Sequence, residues 1–293
     1  NMIASYKEKT GNPNVYALPF AAQPALHYPA GLAGRTSKAC FAGTWYGNRH
    51  QARGNDMQWL LKAALPLGVD IFDRNFNTDN FNFPEEYHPY IKGGLPYEAL
   101  CNEYRRYRLF LNVNSVTDSP TMFSRRVFEL LACGTPIVSA YAQGIEDVFG
   151  GDVVWMVKDE GEAKEAIETL LHDDEEWRRR SQAGIRAVFA KHTYRHRFKE
   201  IYEICALPWS GSEDPSILLF ATVANSQEMQ RVVAFANRQT IESFELLLFA
   251  PPSVDSSHTT LRSGISWDRR DDSNDSEKII EYCASANATL AGR

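Results

Sequence analysis

The sequence has little of what nucleic-acid-binding and membrane-spanning proteins need. Its 293 residues carry 31 Lys and Arg against 37 Asp and Glu, a net charge of −6. Nucleic-acid binding normally requires a basic surface, so no such partner is expected. No run approaches 18 apolar residues, which excludes a membrane-spanning helix in this sequence. The first ten residues lack the apolar core of a signal peptide, and we expect a cytoplasmic protein, compatible with peripheral association at a membrane.

Metal-ligand and nucleotide-loop spacings are also missing. The five cysteines are far apart and odd in number, which predicts buried free thiols in a reducing compartment. His192 and His196 are four residues apart, but the Glu of H-E-x-x-H is absent, so a structural or surface role is favoured over a metal site. Neither G-x-G-x-x-G nor the P-loop occurs, which argues against dinucleotide and NTPase functions.

The most informative stretch is residues 112–140. An apolar strand ends near Val113, and a polar turn at 115–121 contains Pro120, placed where it would open a helix. The pattern predicts a short helix over 122–132, ended by Gly134, and a buried strand from Pro136 to Ala140. This is a strand–helix–strand unit of a parallel sheet.

The charges on this predicted helix indicate an anion site. Arg125 and Arg126 lie near its start, where the macrodipole is already positive and each would lose about 0.3–1 kcal/mol without an anion. Arg125 and Glu129 could pair, but that order of charges contributes at most about 0.5 kcal/mol. Helix-terminal N–H groups, two guanidinium groups and the hydroxyls of Thr121 and Ser124 therefore predict phosphate binding. The alternative is a solvated helix face.

The residues ELLACGTPIV, which begin at Glu129, resemble the E-x-x-A-x-G-x-P-V-V segment in the donor-binding half of GT-B glycosyltransferases. The longer stretch SPTMFSRRVFELLACGTPIVS, with GIEDVFG after it, resembles the CgeB-like (spore-coat-maturation type) branch, over roughly residues 1–205. In related retaining enzymes this Glu contacts the nucleotide ribose, a role the resemblance implies for Glu129. A second Glu, eight residues earlier, contacts the donor sugar there, but this chain has Thr121.

The resemblance implies a Rossmann-like α/β fold and a hexosyltransferase-type glycosyltransferase of polysaccharide or glycoconjugate biosynthesis. The chain would bind a nucleotide-diphosphate sugar and transfer the sugar to an unknown glycan or glycoconjugate acceptor. Arginines and N–H groups would stabilise the leaving diphosphate, so no metal is expected in residues 36–206 and no cofactor besides the nucleotide sugar. No catalytic residue is assignable, because an inverting enzyme of this fold would take its base from the other half.

Three further segments supply candidate donor contacts. The turn after a predicted strand at 38–43 has small residues and cations: Gly43, Thr44, Arg49 and Arg53. An ordinary surface loop is the alternative there. The resemblance implies backbone contacts from Gly93 and Gly94 to the base, and Gly144, at the start of a short helix, is a place where backbone can approach the donor.

Composition predicts a linker at 207–215, followed by a second, smaller α/β unit at 216–293. For the rest of the chain the resemblance implies two parts: 1–35, the end of an upstream domain and its connection, and 36–206, the donor-binding domain. The unit at 216–293 resembles the start of a GT-A (family 2) glycosyltransferase domain, whose D-x-D motif would lie beyond residue 293.

Several local predictions complete the reading. We expect a strand at Asn14–Leu18 and an irregular loop at 73–90. Two groups of charged residues are predicted to face solvent: Arg105, Arg106 and Arg108, and the aspartates Asp268, Asp271 and Asp272 in a polar loop.

Two other functions remain open from the sequence. A non-catalytic nucleotide-sugar-binding or scaffold module would explain the substitution at Thr121. A sugar-nucleotide epimerase of the same fold would need acidic residues converging on the sugar, and the sequence around Thr121 does not offer them.

Overall fold

A computed structural model describes residues 2–46, 51–209, 218–239, 244–255 and 259–270. The chain divides into two compact units, Asn1–Trp209 and Ser210–Arg293. In the described ranges, no helix has both the length and the apolar character needed to cross a membrane.

The first unit is built on a six-stranded parallel sheet. Its strands are β1 Thr36–Ala42, β2 Val69–Phe72, β3 Ile91–Gly93, β4 Tyr107–Asn112, β5 Ile137–Ala140 and β6 Trp155–Val157. They lie in the order β3-β2-β1-β4-β5-β6, and each adjacent pair is parallel. The chain thus builds outwards from β1 to β3 and then returns to β4 on the other side of β1. This arrangement confirms the predicted Rossmann-like α/β class, and such sheets bind ligands at the carboxyl ends of the strands where the order reverses.

Eight α-helices are described in this unit: α1 Ile3–Thr10, α2 Gln51–Ala64, α3 Tyr97–Arg106, α4 Arg126–Ala132, α5 Gln143–Phe149, α6 Glu160–His172, α7 Asp174–Lys191 and α8 Tyr194–Ile204. Local capping explains several of their ends. The side chain of Asp159 accepts a hydrogen bond from Glu162 N at the start of α6, and Asp173 caps α7 in the same way. Gly134 follows α4 with φ +67°, a left-handed conformation that glycine adopts without strain.

The sheet is buried on both faces. Ala39 of β1 and Leu109 of β4 pack into one apolar cluster, whereas Cys40 and Phe110, one position further along each strand, pack into another. Helices α2 and α6 contribute to the first cluster, and α3, α4 and α5 contribute to the second. Burial on both faces is why the strands appear in the sequence as nearly continuous apolar runs.

The predicted start of the central helix is wrong. Helix α4 begins at Arg126 rather than at 122, and Pro120 lies in the preceding loop. Val127 N donates to Ser124 O and Phe128 N to Arg125 O, so a turn at 124–125 precedes the helix. The residues expected to form its first turn instead form an irregular loop.

Other local expectations also need correction. Residues 14–18 form no strand, and the expected loop at 73–90 contains a 3₁₀ helix, Glu85–Tyr90. Arg108 is buried rather than solvated, because its guanidinium donates to Leu170 O and to Asp174. Cys205 is exposed, in contrast to the buried Cys40, Cys101 and Cys133, and Cys283 lies outside the described residues.

The segment before the sheet is tied to the unit by Arg35. Its guanidinium donates to the carbonyls of Tyr104 and Tyr107, at the junction of α3 and β4, and to Cys133 O after α4. Further bonds reach Thr135 and residues 30–31, and the charge lies 5.0 Å from the ring centroid of Trp177. Burial lowers the pKa of Arg35 to about 10, so the group remains a cation at neutral pH.

The second unit contains a smaller parallel sheet in the order β7-β8-β9. Its described elements are β7 Leu218–Thr222, α9 Ser226–Asn237, β8 Phe244–Phe249 and β9 Ile265–Arg270. The first three match the predicted strand–helix–strand opening. Strand β9 was not predicted, and Asp268 lies in this strand rather than in a loop, whereas Asp271 and Asp272 fall outside the described residues.

Replacing Arg35 by Lys tests how far the hydrogen bonds of this guanidinium stabilise the first unit. Lys has three donors on a single nitrogen and cannot reproduce the fork of bonds, so buried carbonyls would lose partners. We expect the free energy of unfolding to fall by about 2–4 kcal/mol. Urea denaturation followed by tryptophan fluorescence measures this, because five of the six tryptophans lie in this unit.

The matched control is Arg106→Lys, whose exposed guanidinium pairs only across a helix turn with Glu103. Its cost should stay within about 0.5 kcal/mol. Equal effects of the two variants would contradict the role assigned to Arg35.

Candidate functional site

A cavity of about 490 Å³ opens where the strand order reverses. We call it the switch-point cavity. Its walls come from the ends of β1 and β2, from the segments that follow β1, β2 and β4, from α2, from α3 and Leu95 two residues before it, and from the loop that leads into α4 with the first residue of that helix. The lining residues are Ala42, Gly43, Thr44, Arg53, Phe72, Arg74, Leu95, Tyr97, Leu100, Asn114, Ser115, Val116, Met122, Phe123, Ser124 and Arg126.

Two guanidinium groups in the cavity have hydrogen-bonding capacity left over. The Nε atoms of Arg53 and Arg126 are buried without a hydrogen-bond partner, and so is Nδ2 of Asn114. Buried polar groups are normally paired, so three unpaired donors on side chains that line one cavity favour a ligand with acceptor atoms. Such a ligand would carry oxygen atoms and negative charge.

Positive charge accumulates at the same place. Burial lowers the pKa of Arg53, and the nearby charges of Arg126 and Arg74 lower it further. Arg53 is held by a bond to Ser115 Oγ of 2.7 Å and lies 4.5 Å from the ring centroid of Tyr46. Cations that repel one another in a partly enclosed space are stabilised when an anion binds between them.

A chain of side chains fixes the turn after β1. Thr44 Oγ1 donates to Asp73 Oδ1 at 2.9 Å and accepts from Arg74 Nε at 3.1 Å. Arg74 also donates to the hydroxyl of Tyr46. The Thr44 hydroxyl is thus used in holding Arg74 at the cavity, so the cation is the more available of the two for a ligand.

Glu129 lies behind the cavity wall rather than in it. Its side chain is 2% exposed, and both oxygens are hydrogen-bonded: Oε1 by Tyr97 at 2.7 Å and Oε2 by Tyr104 at 2.9 Å. Arg125 Nε adds a third contact at 2.8 Å, to Oε1. Burial raises the pKa of both tyrosine hydroxyls well above the usual value, so they stay protonated as donors. Arg125 pairs with Glu129 here, as the spacing allowed, and does not line the cavity.

The structure brings together only part of the predicted set. Gly43, Thr44, Ser124 and Arg126 line the cavity, as does Arg53. Six predicted residues are not among the lining residues: Thr121, Arg125, Glu129, Gly93, Gly94 and Gly144. Arg49 lies outside the described residues. The ligand roles of all these residues stay predictions.

The predicted glycines have structural reasons of their own. Gly93 ends β3 with φ +118° and accepts a hydrogen bond from Asp73 N. A Cβ on Gly144 would lie 2.9 Å from the ring of Phe123 and 2.9 Å from Ser119 O. Gly144 therefore lets α5 pack closely against the loop that carries Phe123, a residue of the cavity wall.

Sequence reasoning missed three lining residues of interest: Arg74, Asn114 and Tyr97. Arg74 and Asn114 each follow a predicted strand by a residue or two, which is a signal that could have been used. Tyr97 gave no such signal, because it lies in an ordinary amphipathic helix pattern.

Neither histidine of the i, i+4 pair is arranged as a metal ligand. Nδ1 of His192 lies 2.7 Å from a guanidinium nitrogen of Arg197, and Nδ1 of His196 contacts the Thr193 hydroxyl. Throughout the described part of the chain, no three His, Cys, Asp or Glu side chains are grouped to hold a metal ion.

Residues 53–203 match the family model described as glycosyl transferase-like, and the match covers more than half of the chain. The protein therefore belongs to this glycosyltransferase family. No curated protein shows significant sequence similarity to it.

Solved structures show the fold. Sucrose-phosphate synthase from Thermosynechococcus elongatus is 15% identical with a TM-score of 0.50, over 69% of this chain and 55% of that one. The Anabaena protein HepE, solved with UDP-glucose, is 15% identical with a TM-score of 0.47, over 64% of this chain and 56% of that one. The similarity to sucrose-phosphate synthase shows that this chain contains a GT-B-like fold. The chain spans about half the length of these proteins.

Gly144→Ala tests the packing that supports the cavity wall. The added methyl group has no room beside Phe123 and Ser119, so we expect a loss of about 1–3 kcal/mol in the free energy of unfolding. Chemical denaturation measures this loss. Gly151→Ala is the matched control, since its Cβ would meet nothing within 4 Å and should cost less than about 0.5 kcal/mol. If Gly144→Ala left the free energy of unfolding unchanged, the 119–123 loop would have to shift freely to make room for the methyl group.

Proposed function

We propose that the first unit binds a nucleotide-diphosphate sugar through its diphosphate in the switch-point cavity. The observation that carries the proposal is the set of unpaired buried donors on Arg53, Arg126 and Asn114. A diphosphate offers many acceptor oxygens and more than one negative charge. It could therefore accept hydrogen bonds from the unpaired donors and reduce the repulsion between the arginines. Membership of a glycosyltransferase family supports the same ligand class.

The proposed chemistry is electrostatic. When the bond between sugar and diphosphate breaks, negative charge develops on the leaving group. Arg53, which Ser115 and Tyr46 hold in place, and Arg126, at the start of α4, would stabilise that charge where little water competes. Arg74 is well placed to contribute as a third cation, because its contacts with Thr44 and Tyr46 hold it at the same cavity.

We propose that the complete protein is a hexosyltransferase-type enzyme that acts on a glycan or glycoconjugate in the cytoplasm. No carboxylate is among the described residues that line the cavity, so we assign no general base to them. The alternative is a nucleotide-sugar-binding module without transfer activity. Release of free nucleoside diphosphate from a nucleotide sugar, in the presence of candidate acceptors, separates the two.

Finer assignments are proposals as well. We propose the CgeB-like branch for the first unit, with boundaries at 1–35, 36–206 and 207–215. For residues 216–293 we propose the opening of a GT-A-like domain. The parallel pairing of β7 with β8, which α9 connects, supports this proposal.

Arg126→Ala is the direct test of the binding site. Isothermal titration of the whole chain with UDP, GDP, ADP, CDP and TDP should find at least one that binds. The variant should then bind this nucleotide at least about ten-fold more weakly, because a charge-assisted bond is lost.

Arg186→Ala, on the exposed side of α7, is the matched control and should keep the wild-type affinity. A folded wild-type chain that binds none of the five nucleotides would refute the proposal. Equal nucleotide affinities of Arg126→Ala and the wild type would show that the nucleotide binds outside the switch-point cavity.

The proposal also predicts that nucleotide binding does not need a divalent cation. Guanidinium groups would neutralise the diphosphate, so the dissociation constant should change by less than about two-fold when EDTA replaces Mg²⁺. Titrations in both buffers measure this. Loss of binding in EDTA, restored by added Mg²⁺, would show that the arginines are not sufficient.

A further inference from the structure

We infer that the ring of Tyr97 is the surface on which the nucleotide base stacks, and that Glu129 is the positioning residue that holds it there. This inference rests on the proposed function. It names a binding residue that the sequence did not indicate and gives the buried Glu129 carboxylate a role other than direct contact with the ribose.

Tyr97 is placed as a wall of the cavity. It is the first residue of α3 and lines the cavity together with Leu95 and Leu100. The residue is 39% exposed, although it is aromatic and next to a buried network. An exposed ring beside two leucines offers an apolar surface to a planar ligand, in a cavity whose other lining residues include cations.

The hydroxyl end of Tyr97 is fixed from two sides. It donates to Glu129 Oε1 at 2.7 Å and lies 3.1 Å from His27 Nε2. Gln23 N donates to His27 Nδ1 at 3.0 Å, so Nδ1 is the acceptor, and burial lowers the pKa of His27. The neutral ring therefore carries its proton on Nε2 and donates to Tyr97.

One face of the ring is already occupied. The guanidinium of Arg125 lies 5.0 Å from the ring centroid, and Arg125 is itself bonded to Glu129. Because Arg125 does not line the cavity, we assign it to the side of the ring away from the ligand space and assign the opposite face to the base. A ring held at its hydroxyl and backed by a cation loses little freedom when a base stacks on it.

Glu129 connects these contacts. Its two oxygens accept from Tyr97, Tyr104 and Arg125, which leaves it no surface at the cavity. Removing its charge would loosen both Tyr97 and Arg125, whereas Arg53 keeps its bond to Ser115. Its effect on binding should therefore be larger for the base than for the diphosphate.

The test compares two ligands of the whole chain: the nucleoside diphosphate that binds most tightly, and inorganic pyrophosphate, which has no base. Tyr97→Ala and Tyr97→Leu should each weaken nucleotide binding by about ten-fold or more and change pyrophosphate binding by less than about two-fold. Tyr97→Phe keeps the ring but loses its bond to Glu129, so it should weaken nucleotide binding less than Tyr97→Ala and about as much as Glu129→Gln. Glu129→Gln should weaken nucleotide binding selectively, whereas Arg126→Ala should weaken both ligands.

Tyr16→Ala, which removes an exposed tyrosine outside the cavity, is the control and should leave both affinities unchanged. Thermal unfolding checks that each variant is folded. Tyr97→Ala and Tyr97→Leu with wild-type nucleotide affinity would overturn the inference alone, as would equal losses for both ligands. A folded wild-type chain that binds no nucleotide would overturn the proposed function and the inference with it.

Discussion

The buried carboxylate of Glu129 is the constraint on which the candidate site depends. A charge removed from water is costly unless hydrogen bonds replace its hydration. Here the replacement comes from two helices, because Tyr97 and Tyr104 belong to α3 and Arg125 directly precedes α4. Satisfying one carboxylate therefore holds these helices at a fixed spacing. Since both contribute walls to the switch-point cavity, the same bonds help to set its shape.

Much of the parallel sheet could be predicted from the sequence. Strands buried on both faces are apolar along most of their length, and this is why 69–72 and 137–140 were identifiable from the sequence. The stop after α4 was equally clear, because Gly134 adopts the left-handed conformation that ends helices. Arg126, which lines the cavity, could be singled out because a cation at the start of a helix is unfavourable without a counter-ion.

The rest of the site depends on contacts that are distant in sequence. Arg74, Tyr97 and Asn114 meet at one cavity only because the sheet aligns the ends of β2 and β4 with the start of α3. Arg108 looked like part of a solvated basic run, but its partner Asp174 lies 66 residues away. The start of α4 was misplaced because Pro120 is compatible with a loop as well as with a first helical turn. Periodicity carries no information about such pairings.

The contacts between the segment around residues 19–22 and the region of α8 have a consequence for folding. Arg197 Nε donates to Pro19 O, a residue 178 positions earlier, and Ala22 forms a parallel bridge with Thr193. Nearly the whole first unit lies between these partners, so the contacts close a very long loop. Closing that loop costs conformational entropy, which the contacts formed between these partners must offset first. We therefore expect the contacts of Pro19 and Ala22 with the region of α8 to form late in folding. Once formed, they hold a segment near the start of the unit against one near its end, an arrangement that is common in domains and favours their insertion into longer polypeptides.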